Sequence, residues 1–104
     1  MMPIERIDRD WIAQHAGTTL VFHANMGDRH LLQRRVIDRR DGRPTGLRYA
    51  DTSYKRTKRN GDRGGTSVRT WSVEGHDQAL ATLDEALEIL HIQRLGALPD
   101  EARG

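Results

Sequence analysis

Near residue 77 the hydrophobic period of this chain changes from two residues to about 3.6, which calls for a sheet followed by a helix. Upstream of the change, Thr18 to Met26 alternates, with Leu20, Phe22, Ala24 and Met26 on one side and Thr19, Val21, His23 and Asn25 on the other. That is the pattern of a strand with one buried face. Downstream, Leu80, Leu83, Leu87 and Leu90 fall at helical spacing, and Ala79, Ala86 and Ile89 widen the stripe. The spacing predicts an amphipathic helix from Asp77 to about Leu95, with Asp77 as its N-cap and Gly96 as its stop. Such a helix must lay its apolar stripe on something, and the preceding strands supply a face.

Turn-forming residues divide the rest of the chain. Asp8 can cap a short helix whose inward residues are Ile7, Trp11 and Ile12, with Gly17 as a stop. Gly27-Asp28 suits the two-residue turn of a type II′ hairpin, so His30 to Asp38 should return antiparallel. A strict two-residue loop places Leu31, Gln33, Arg35 and Ile37 on the face of Phe22, which puts two polar side chains on an apolar face unless a bulge shifts them. Asp41 to Gly46 should close a second loop. Leu47 to Arg59 and Arg63 to Glu74 then read as arms of a long hairpin around Asn60-Gly61, apolar only near its base at Leu47, Tyr49, Val68, Trp71 and Val73. An arm of this length reaches roughly 43 Å, farther than a core of this size can cover. The expected fold is α+β: a short N-terminal helix, a four-stranded antiparallel β-meander with a long basic hairpin, and a C-terminal amphipathic helix packed on one sheet face. Residues 1–98 form one domain in this reading, and 99–104 a frayed tail.

Charge is strongly segregated along this frame. Residues 29–69 carry thirteen Lys and Arg against four Asp, a net of +9, whereas residues 1–28 carry −2 and residues 70–104 carry −5. A basic middle between acidic ends points to a polyanionic partner, nucleic acid foremost and an acidic protein surface as the alternative. The phosphate-gripping candidates are Arg39, Arg40, Arg43, Arg48, Lys55, Arg56, Lys58, Arg59, Arg63 and Arg69, with Tyr54 as a base-stacking candidate. Acids on the final helix, Asp84, Glu85 and Glu88, would turn a polyanion away from that side. Small size and polarised charge equally suit a small interaction or inhibitor protein, of the kind a phage or mobile element encodes, that docks on a larger partner.

The sequence offers little for catalysis. Without cysteine there is no thiolate nucleophile, disulfide or thiolate metal site. His23 and His30 can face each other near the first hairpin, which leaves a ribonuclease-like toxin as a third reading. Their spacing supports no metal site, and no cofactor is expected. The chain reads as non-catalytic and cytoplasmic, with no membrane partner, since no apolar run is long enough for a signal or a span. An exposed long hairpin is also a candidate homodimer arm.

Overall fold

The computed structural model describes residues 5–54 and 67–96, and within them the chain runs α1 (Arg9–His15), β1 (Ala16–Asn25), β2 (Arg29–Asp38), β3 (Pro44–Tyr54), β4 (Ser67–Val73) and α2 (Leu83–Gly96). The strands form one antiparallel sheet in the order β1-β2-β3-β4, and α2 lies on it. The α+β meander is therefore present. The distal hairpin cations Lys55, Arg56, Lys58, Arg59 and Arg63, and the tail after Leu98, lie outside the described residues.

Local chemistry accounts for the element ends. The Asp8 carboxylate accepts from the Trp11 amide at 2.8 Å and caps α1, as expected. The helix ends at His15 with Ala16 already extended, so Gly17 belongs to β1 and is not a helix stop. Its missing side chain serves another purpose: a Cβ there would come within 2.8 Å of Arg39 Cγ, so the Arg39 stem crosses the strand where only glycine leaves room. Between β1 and β2, Gly27 takes φ +81° in a two-residue loop, and the Met26 amide donates to the Arg29 carbonyl at 2.8 Å.

Helix α2 begins later than the leucine spacing predicts. Its cap is Thr82, whose Oγ1 accepts from the Glu85 amide at 3.2 Å and donates to the Glu85 carboxylate at 2.8 Å. Asp77 lies before a short irregular stretch in which Leu80 alone pairs with Trp71, through two backbone hydrogen bonds of 2.7 and 2.8 Å. Leu80 thus reaches the core from a bridge on the outer edge of β4, and Ala79 is exposed rather than part of a helical stripe.

The core is small and lies on one side of the sheet. Ile7, Trp11, Val36, Leu47, Val73, Ala86, Leu87 and Leu90 are buried, with Leu47 fully enclosed. Val36, Leu47 and Val73 share a face by register, and both helices close over that face near one end of the sheet. Leu20, Phe22 and Met26, the expected buried face of β1, are instead 58%, 47% and 50% exposed, and Val68 is 50% exposed. Val68 stands opposite Thr52 on the face away from the helices, and two physical causes explain the β1 residues. The sheet is wider than α2 can cover, and a bulge at Val21 interrupts β1, so that Leu20 pairs with Arg34 but Phe22 pairs with Gln33. The bulge sends Leu20 toward the helix side and Phe22 toward the opposite face.

Candidate nucleic-acid interface

Cross-strand register defines a sheet face on which neither helix packs. Residues directly opposite one another share a face, so Thr19, Arg35, Arg48 and Ser72 form one row across all four strands. The next row is Phe22, Gln33, Ala50 and Thr70, and the one after it Ala24, Leu31, Thr52 and Val68. Arg29 and Tyr54 stand opposite each other at the far end. None of these strand positions is Asp or Glu. Val21, at the bulge, joins Gln33, Arg34, Arg48, Tyr49, Ala50 and Ser72 in lining a shallow pocket.

The Arg35–Arg48 pair is the unusual element of this face. Side chains directly across a ladder have Cβ atoms about 5 Å apart, where like charges oppose folding. Among the described residues no carboxylate lies within ion-pairing distance of Arg35, Arg48 or Arg29. Within the described residues the charge on this face is therefore not balanced by an ion pair.

Four other arginines are held close to carboxylates. The Arg40 guanidinium binds Asp38 and Glu5, each at 2.9 Å, and lies over the Trp11 ring at 5.6 Å. That contact holds both carboxyls below their usual ranges and raises the guanidinium further. Arg69 sits on the helix side of the sheet, paired to Asp51 at 2.6 and 2.9 Å and stacked 4.1 Å from the Tyr49 ring centroid. The Asp51 hydrogen bond raises its pKa as well. On the helices, Arg9 binds Asp84 at 2.7 Å and Arg6 binds Glu88 at 2.8 Å, so the acids of α2 neutralise the N-terminal segment and leave the sheet arginines alone. The Arg9 contact lowers the Asp84 carboxyl.

The cations expected to act together are thus divided. Arg48 and Tyr54 lie on the uncovered face. Arg39 reaches along its end, its guanidinium donating to the Gln14 carbonyl at 2.8 Å. Arg43 is 85% exposed in the β2–β3 loop, 3.9 Å from Asp41. Arg40 and Arg69 are held by carboxylates. Arg29 and Arg35 belong to the face although the charge pattern did not single them out, and the signal for Arg35 was its awkward position opposite an apolar alternation. His23 and His30 do stack, with ring centroids 6.0 Å apart. Register puts them on the helix side, away from Arg35 and Arg48, and no third His, Asp or Glu among the described residues completes a metal-binding set with them.

No protein-family model matches the chain, and neither a curated protein nor a solved structure does. No helix among the described residues is long and apolar enough to cross a membrane.

Proposed function

We propose that this chain is a small non-catalytic nucleic-acid-binding module that grips backbone phosphate through its uncovered sheet face and the basic segment that follows Tyr54. The observation that carries this reading is the Arg35–Arg48 pair, two arginines at directly opposed strand positions with no carboxylate among the described residues to balance them. A phosphate chain supplies the missing counter-charge, and guanidinium forks suit phosphate oxygens. Lys55, Arg56, Lys58, Arg59 and Arg63 extend the cationic run in sequence directly from the Tyr54 end of the same face. Sequence readout would be weak, because phosphate contacts position a nucleic acid without reading it.

Binding of a fluorescently labelled oligonucleotide at two ionic strengths tests this. Each phosphate contact contributes about 0.7 to 0.9 to the slope of log affinity against log salt, so Arg29, Arg35, Arg48 and the cations that follow Tyr54 in sequence together give a slope steeper than about −3. A wild-type protein that binds no DNA or RNA at low salt defeats the reading. Recovery of one stoichiometric protein partner after nuclease treatment, with no oligonucleotide binding, would instead favour docking of the basic surface on an acidic protein.

A further inference from the structure

We infer that the nucleic acid this face takes is single-stranded, with its bases lying on the apolar band between the two cationic ends of the sheet. This rests on the nucleic-acid reading above and adds the substrate class. Along β2, Arg35 and Arg29 share the face six residues apart, roughly 20 Å at about 3.3 Å per residue. Between them lie two rows without charge, in which Phe22, Leu31 and Val68 are the large apolar members. Phe22 is 47% exposed and Val68 50% exposed, and no other described element covers them.

A duplex meets a protein with phosphates, sugars and base edges, while its base faces are stacked inside. Against such a surface the cations would be satisfied and the apolar band would stay wet. A single strand has unstacked faces to offer, and an aromatic ring can take one whatever the base. With phosphates on Arg35, Arg48 and Arg29, the intervening bases fall over Phe22 and its neighbours, and Tyr54 offers a second ring beside Arg29. The alternation of cation, apolar band and cation therefore matches a polymer whose charge and apolar surface are both exposed.

The test compares a labelled single strand, the same sequence as a duplex, and the corresponding RNA, each titrated with wild-type protein, Phe22→Ala and Phe22→Tyr. The single strands should bind at least about tenfold more tightly than the duplex, and Phe22→Ala should weaken single-strand binding about 5- to 100-fold. Its salt slope should not change, because no charge is removed. Phe22→Tyr, which keeps the ring, should bind as the wild type does. Duplex binding as tight as single-strand binding overturns this inference and leaves the wider nucleic-acid reading standing, as does undiminished binding by Phe22→Ala. Failure to bind any of the three overturns both.

Discussion

Replacing Arg35 and Arg48 together with glutamine is expected to weaken oligonucleotide binding about 100-fold while leaving the protein as stable as the wild type, or more so. Charged hydrogen bonds contribute about 1.5 to 3 kcal/mol each, so two lost contacts at the low end of that range, as suits an exposed face, amount to about two orders of magnitude in affinity. The salt slope should become shallower by about 1.4 to 1.8, since two phosphate contacts disappear. Stability moves the other way because the two residues face each other across β2 and β3, where like charges cost up to about 1 kcal/mol. The expected profile, weaker binding with unchanged or higher melting temperature, differs from that of Arg69→Gln. Arg69 satisfies Asp51, whose side chain is only 19% exposed, so its loss strands a carboxylate and lowers stability. Oligonucleotide titration and thermal unfolding on the same samples check both halves. If the double variant bound as the wild type does, the uncovered face would not be the phosphate-binding surface.

The second large effect is on folding. Leu47→Ala should remove about 2 to 5 kcal/mol, because Leu47 is fully enclosed where β3 and β4 meet the helices. Domains of this size have total stabilities of about 5 to 15 kcal/mol, so the variant should be partly unfolded near physiological temperature, and each kcal/mol lowers the midpoint by about 4 to 8 °C. Leu20→Ala is the matched control. That leucine is 58% exposed beyond the reach of α2, and its truncation should change stability by no more than about 0.5 kcal/mol. Urea unfolding of both variants measures the contrast, and equal losses would mean that Leu20 is as buried as Leu47.

Much of this fold is legible in local sequence, where the determinants are short-range. The Asp8 cap, the Gly27 turn, the alternation of the strands and the leucine stripe act over a few residues, and each marks an element that forms. The start of α2 was harder because Leu80 continues the helical spacing while its backbone is committed to Trp71, a partner set by tertiary packing. The Thr82-x-x-Glu85 capping pattern was the available signal for the true start. Alternation in β1 marks two faces but does not say which one α2 covers, and the bulge at Val21 exchanges them midway.

The candidate site was less legible for the same reason. A run of cations shows where positive charge lies along the chain, whereas neutralisation depends on contacts between distant residues. Arg40 meets Glu5 across 35 positions and Arg69 meets Asp51 across 18, so neither pairing is visible as a pattern. Arg35 and Arg48 come together only through strand register. Arg35 and Gln33 were out of place in an apolar face, but they are well placed on a face left open to water.

The most direct test of the central claim is residue-resolved: amide spectra of isotopically labelled protein, recorded as a single-stranded oligonucleotide is added. Resonances of Thr19, Arg35, Arg48 and Ser72 and of the neighbouring rows should move, while those of α2 stay in place. Shifts centred on α2, or a spectrum unchanged at saturating oligonucleotide, would contradict that claim.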